Sequence, residues 1–254
     1  MFRPVAIDLY VVHGSHPCAA VERALELKGL AFRRVELPPP LHAPLQKLRF
    51  GRRTVPAIRL ESGEKVSGSR AILRRLEQIA PEPSLWPSGK EARALVERAE
   101  EWGDEVYQPI ARRLLWGALR RRPEALVTYS EGSRIPLRTA AIRAAAPAMI
   151  RAEIALNHAR EPEVRADLRN LPGHLDRIDG WIADGLLGVE HPNAADLQVA
   201  TTSRLLLTIG DVAPFFAGRP AEEHARALFG TQAGAVPRGA FPAEWLAGSP
   251  ARVG

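Results

Sequence analysis

One cysteine, Cys18, is all that the 254 residues contain. No intramolecular disulfide can form, and cysteine-rich metal sites are excluded. Methionine (two), tyrosine (three) and lysine (Lys28, Lys47, Lys65 and Lys90) are also scarce. Long apolar runs are missing: none reaches the roughly 18 residues that a membrane-spanning helix needs. Met1-Phe2-Arg3-Pro4 leads straight into a strand-like run, without the apolar stretch and cleavage site of a secretory signal. These absences predict a cytoplasmic protein with no membrane partner and no metal.

What is present describes an ordinary globular chain. Hydrophobic residues make up 46% and charged ones 25%, enough for one large or two modest domains with a core. The formal charge is +6, carried almost wholly by arginine. Such a balance suits an anionic partner, since arginine recognises phosphate and carboxylate well. The arginines are nevertheless spread out and often stand beside glutamate, as in Glu22-Arg23 and Glu97-Arg98. Their one cluster, Arg120-Arg121-Arg122, precedes Pro123, where cations favour a helix C-terminus. No nucleic-acid motif accompanies the charge, so no nucleic-acid partner is expected.

The period of the apolar residues changes repeatedly over the first eighty positions. Residues 5–11 form a short, largely apolar run that reads as a buried strand. Gly14-Ser15-His16-Pro17 breaks it, and a helix follows over 17–28 with Gly29 as its stop. Residues 32–37 read as a second strand, ended by Pro38-Pro39-Pro40. Two short strands, 55–60 and 65–67, flank the turn Glu61-Ser62-Gly63-Glu64, and a helix over 69–79 closes the unit. The order is β-α-β, an irregular segment, then β-β-α. Residues 81–89, with Pro81, Pro83 and Pro87, read as a stiff linker. Beyond it only helical patterns remain, over 90–122, 137–160, 164–186, 193–208 and 221–229. Pro109, Pro147 and Pro172 fall inside them and predict kinks or breaks. The division is therefore 1–80, a linker 81–89, a helical unit 90–230 and a tail 231–254. The fold class is α+β.

Several local motifs resemble the glutathione transferases in both order and spacing. Gly14-Ser15-His16-Pro17-Cys18, with Gly29-Leu30 closing the next helix, resembles that family's catalytic segment. Thr54-Val55-Pro56-Ala57-Ile58 resembles its Val-Pro segment, and Gly68-Ser69-Arg70-Ala71-Ile72 the start of its third helix. Asn193-Ala194-Ala195-Asp196-Leu197 resembles the capping box of its helical domain. The resemblance spans roughly residues 4–210. It implies a thioredoxin-like β-α-β…β-β-α domain followed by an all-α bundle, a homodimer, and glutathione as co-substrate in detoxification chemistry.

The implied site has a physical logic. A free thiol with a pKa of about 8.5 is mostly protonated at neutral pH, and a helix N-terminus lowers that value. A nearby hydroxyl then donates to sulfur. Ser15 matches the catalytic position of serine-type transferases, although serine at that place also serves as a plain N-cap. Two alternatives stay open. Tyr10 lies near the end of the first strand, where tyrosine-type relatives keep their hydroxyl, but a strand tyrosine also suits the core. Cys18 occupies the second position of the redox pair of related glutaredoxins, and a lone cysteine on an inner helix face is usually a small core residue. His13 and His16 flank the serine, either tuning the site or simply solvated.

By the same resemblance, Arg53, Thr54, Val55 and Pro56 would hold the cysteinyl backbone and carboxylates of glutathione, with Val55-Pro56 cis. Arg52 joins Arg53 as a candidate for a terminal carboxylate. Gly68 and Ser69 would meet the γ-glutamyl end, where a helix N-terminus favours an anion. Two departures count against tight binding. Gly68 lacks the usual carboxylate that faces the γ-glutamyl ammonium, and Ala20 replaces a common arginine. Asn193 and Asp196 read as a structural cap. The expected activity is conjugation of glutathione, or a similar thiol, to an electrophile held in an apolar cleft beside the helix over 90–122. The alternative is a non-catalytic ligand-binding or dimeric interaction module of the same fold.

Overall fold

The computed structural model describes residues 7–39, 41–136 and 138–246. Positions 5 and 6 of the first expected strand, Pro40, position 137 and the last eight residues of the tail lie outside them.

Four strands make one mixed sheet. β1 (Ile7–Val11), β2 (Phe32–Glu36), β3 (Ala57–Leu60) and β4 (Lys65–Ser67) lie in the order β2-β1-β3-β4. β1 and β2 run parallel, joined by α1 (His16–Leu27), as a crossover connection requires. β3 is antiparallel to β1, with Ala57 opposite Tyr10, and β4 is antiparallel to β3, with Ser67 opposite Ala57. Alternation along β1 splits its side chains between two cores. Ile7, Leu9 and Val11 pack with α1 and with α3 (Ser69–Ile79), through Val21, Leu25, Ile72 and Leu76. Tyr10 points to the other face, beside Leu45 and Phe50 of α2 (His42–Phe50).

α2 occupies part of the segment expected to be irregular. It carries Pro44 in its first turn, and Leu48 is 85% exposed, so its apolar residues do not show a helical period. It ends at Gly51, whose φ of 73° suits glycine.

The second half is all helical: α4 (Lys90–Trp102), α5 (Gln108–Arg121), α6 (Thr139–Leu156), α7 (Glu161–Ala183), α8 (Ala194–Leu206) and α9 (Pro220–Phe229). A π-helical turn, Gly103–Tyr107, divides the helix expected over 90–122. The helical backbone runs on through that turn, and Pro109, which has no N–H to donate back along the helix, stands just after it. Gly103 lies so close to α8 that a Cβ there would be 3.0 Å from that of Gln198. Pro147 and Pro172 do not interrupt α6 or α7, whose buried stripes hold them in place. The thioredoxin-like unit followed by an all-helical one is the α+β architecture expected. Among the described residues no helix is long and apolar enough to cross a membrane.

The two halves are closely joined. α8 is buried along most of its length and packs against both α1 and α4. The segment between the halves is pinned rather than merely stiff. The buried Lys28 ammonium donates to Glu77 (2.6 Å) and to the carbonyls of Ala80 (2.7 Å) and Pro83 (2.9 Å). Leu85 and Trp86 are buried, and the Ala194 N–H donates to the Leu85 carbonyl at 2.9 Å. Residues of the tail also pack inward: Val236 bridges Ile209, and Ala240 and Phe241 are buried.

Candidate functional site

The sheet register brings three segments to one end. β1 ends at Val11 and delivers the chain to Ser15. β3 runs the opposite way, so Val55 and Pro56 lie at that same end. β4 pairs Ser67 with Ala57 and delivers Gly68 and Ser69 there too. The Gly68 N–H donates to the Pro56 carbonyl at 2.9 Å and ties two of the segments together.

Ser15 is the N-cap residue of α1, with extended backbone (φ −72°, ψ 115°), yet its side chain makes no capping bond. Its carbonyl accepts the N–H groups of Cys18 and Ala19, both at 3.1 Å. Pro17 has no N–H to satisfy, and among the described residues nothing accepts the His16 N–H. The half-buried Ser15 hydroxyl therefore stands at a positive helix end without a helical duty. The hydroxyl is within hydrogen-bond reach of the Cys18 thiol. That thiol is buried, and burial pushes its pKa up to about 12 against the Ser15 hydroxyl and the Val12 backbone, which favour the thiolate. Cys18 is accordingly an unreactive core thiol at neutral pH.

Tyr10 lies on the sheet face away from α1. Its ring meets Phe50 edge-on at 5.0 Å between centroids, and the Arg49 guanidinium lies 5.7 Å from the ring centre. The histidines are not free in solvent. His13 Nε2 donates to the Glu131 carbonyl at 2.7 Å. His16 is 3% exposed, and burial, helped by Arg112 and Arg204, holds its pKa well below the ordinary value. It is neutral at physiological pH.

At the second segment, the Val55-Pro56 peptide is cis. No described residue pairs with the N–H or C=O of Val55, although Pro56 behind it is buried. Arg52, Arg53 and Thr54 are exposed. At the third, Gly68 has φ 92°, a backbone that side chains rarely adopt, and a Cβ there would meet nothing within 4 Å. The N–H groups of Ser69 and Arg70 have no acceptor among the described residues, which leaves an anion-binding end on α3. Arg70 itself faces acids, with Glu105 at 3.3 Å and Glu101 at 3.7 Å.

Sequence reasoning missed a connection from the helical half. The buried Ser69 hydroxyl reaches Gln198 Oε1 of α8 at 3.4 Å, and the Gln108 side-chain amide of α5 donates to that same oxygen at 2.6 Å. The signal available was one glutamine in the otherwise apolar run Leu197-Gln198-Val199. Its partner stands 129 positions away. Among the described residues no group of three His, Cys, Asp or Glu side chains is placed to hold a metal ion.

The cap of α8 is fully formed. The Asn193 side chain accepts from the N–H of Ala195 (2.8 Å) and Asp196 (3.2 Å), and the Asn193 N–H donates to Asp196 Oδ2 at 2.7 Å. Asp196 Oδ1 also accepts from the Gly188 N–H at 2.8 Å and lies 2.7 Å from His224 Nε2.

The comparisons with known proteins agree with this geometry. Residues 9–84 match the family described as glutathione S-transferase, N-terminal domain. The chain as a whole has the glutathione S-transferase fold. A β-etherase, LigF, from Sphingobium sp. strain SYK-6 superposes with a TM-score of 0.61 at 18% identity, over 97% of this chain and 96% of its own. A glutathione S-transferase of Methylobacterium radiotolerans, solved in complex with glutathione sulfonate, gives 0.58 at 20% identity, over 96% and 94%. One from Rhodospirillum rubrum gives 0.57 at 23% identity, over 88% and 85%. At such identities the likeness establishes the fold. No curated protein matches the chain in sequence.

Proposed function

We propose that this chain binds glutathione, or a close thiol analogue, and activates it for transfer to an electrophile, with Ser15 as the residue that meets sulfur. The observation that carries the reading is the Ser15 hydroxyl, which stands at the N-terminus of α1 and does not cap it. In this reading the hydroxyl donates to the thiolate, while the free His16 N–H and the helix dipole add positive potential. The unpartnered Val55 main chain pairs with the cysteinyl backbone. Ser69, with its N–H and that of Arg70, takes the γ-glutamyl carboxylate. Arg52 and Arg53 are in reach of the other carboxylate end. The protein contributes an ionised nucleophile and proximity, with no covalent intermediate on the chain.

The relative crystallised with glutathione sulfonate supports this choice of thiol. Tyr10 is a weaker candidate because its ring lies in the core on the far face of the sheet. Calorimetry with glutathione tests the binding, and thiolate absorbance against pH tests the role of Ser15. In Ser15→Ala the pKa of the bound thiol should rise by about one to two units, since a hydrogen bond to a charged group is worth roughly 1.5–3 kcal/mol. Tyr10→Phe and Cys18→Ala should leave it unchanged. A wild type that binds no thiol would transfer the assignment to the non-catalytic module of the same fold, which Gly68 and Ala20 favour.

The same reading includes a homodimer in the cytoplasm, as the exposed Leu95 of α4 and Val106 of the π-turn suggest for an apolar contact. Sedimentation at micromolar concentration should give twice the 27.8 kDa of the chain. A monomer would refute it.

A further inference from the structure

A cavity at the far end of α8 lies outside the proposed thiol site. It has a volume of about 260 Å³ and is walled by the C-terminal end of α8, the end of α9 and residues 230–236. Ser15, Val55 and Ser69 do not line it. Arg204 and Arg226 are its cationic residues, Arg226 already bonded to Glu222 at 2.9 Å, and Leu207, Ala235 and Val236 supply apolar wall.

Arg204 belongs, with Arg112 and Arg122, to the partly buried arginines that have no carboxylate partner among the described residues. Arg34, Arg74, Arg113 and Arg219 each hold a carboxylate at hydrogen-bond distance, namely Glu22, Glu100, Asp167 and Asp179. Arg204 has no carboxylate within 4 Å among the described residues. Its Nη1 donates to the Phe229 carbonyl at 3.1 Å, and its guanidinium lies 5.2 Å from the Phe229 ring centre. Glu22, the acid whose field it feels, is already bonded by Arg34 at 2.7 Å. No carboxylate lines the cavity either. A desolvated guanidinium without a counterion is costly, and an anion entering the cavity would relieve that cost.

We infer that this cavity is a binding site for a small carboxylic acid with a compact apolar body. The carboxylate pairs with Arg204, with Arg226 at the rim, and the body lies on Leu207 and Val236. A cavity of about 150 Å³ is enough to hold benzene, so an aromatic or short branched acid fits this one. The occupant also bears on the thiol site. Gln232 lines the cavity and its side-chain amide donates to the Gly14 carbonyl at 3.1 Å, one residue before Ser15.

Titration calorimetry with benzoate, benzamide and inorganic phosphate, run without any thiol, tests the site by itself. Its result is therefore separate from the fate of the glutathione reading. Benzoate should bind, and both benzamide and phosphate should bind at least about tenfold more weakly. Arg204→Met should weaken benzoate by about tenfold or more. Arg226→Met, at a half-exposed position where folding is not in question, should weaken it by about threefold. In Arg226→Met, S-methylglutathione should bind as in wild type. Equal binding of benzamide, or benzoate affinity unchanged in Arg226→Met, would overturn the proposal. Phosphate binding as tightly as benzoate would overturn the apolar-bodied acid as its ligand class.

Discussion

The N-termini of α1 and α8 solve one problem in opposite ways. Both helices start with backbone N–H groups that lack intrahelical acceptors. At α8 the chain satisfies them itself: Asn193 and Asp196 bond each other's backbone, and Asp196 then takes Gly188 and His224 as well. Nothing there is left for a ligand. At α1 the residue in the capping position is a serine that caps nothing, followed by a buried neutral histidine and a proline. A terminus closed by its own side chains is a structural device. One left open by a residue able to close it is where a ligand's charge fits.

The widest separation between the two ends should appear in stability when Asp196 is replaced. Its carboxylate is fully buried and accepts two backbone N–H groups and a histidine. Asp196→Ala strands all three donors, and each buried donor left unsatisfied costs about 1–3 kcal/mol. Urea unfolding measures it. A loss near 1 kcal/mol would reduce Asp196 to an ordinary cap. Asn193→Ala comes next, at about 2 kcal/mol, the upper end for a cap, because its amide also donates to the Leu186 carbonyl at 2.8 Å. A loss within error for Asn193→Ala would separate the box from the stability of α8.

At the α1 end a change in pH gives the next largest effect. His16 is neutral when folded because burial keeps its pKa well below 6.5, its ordinary value. Below about pH 6.5 the unfolded chain takes up a proton there and the folded one does not. Stability therefore falls with pH in that window, by up to about 1.4 kcal/mol per pH unit for one histidine. His42 and His174 are shifted in the same direction and share the wild-type slope. His16→Gln should remove one histidine's part of that slope between pH 5 and 6.5, read from urea unfolding at several pH values. An unchanged slope would mean that His16 is protonated in the native fold.

The two termini were not equally readable from sequence. The α8 cap follows from residue types at fixed spacing, Asn193 and Asp196 three apart before an apolar run, so local chemistry suffices. The strands and α1 were readable for the same reason, because their apolar period and the breaks at Gly14 and Gly29 are local. α2 was not, since Pro44 and the exposed Leu48 spoil its period. At α1, sequence left Ser15 divided between cap and catalyst, a choice that depends on where one hydroxyl points. Nor does any local pattern show that His16 is buried within the field of Arg112 and Arg204, or that Gln198 reaches Ser69 across 129 positions. Those contacts arise from packing of the two halves.

The smallest expected effect is also the one that discriminates best. A serine that truly caps a helix costs about 1 kcal/mol when truncated to alanine. Ser15 makes no such bond, and its backbone carbonyl, which starts α1, survives the substitution. Ser15→Ala should therefore cost less than about 0.5 kcal/mol in urea unfolding without thiol, within the range of a neutral surface change. The Cys18 thiol beside it loses one hydroxyl neighbour, but its high pKa comes mainly from burial and remains. With thiol present the order reverses, because the hydroxyl favours thiolate over thiol and its loss appears in the pKa of the bound sulfur. A variant that is as stable as wild type, yet holds its thiol with a raised pKa, matches the open end. A variant that loses 1 kcal/mol or more, with the thiol pKa unmoved, makes Ser15 a cap like Asn193 and removes the difference between the two termini.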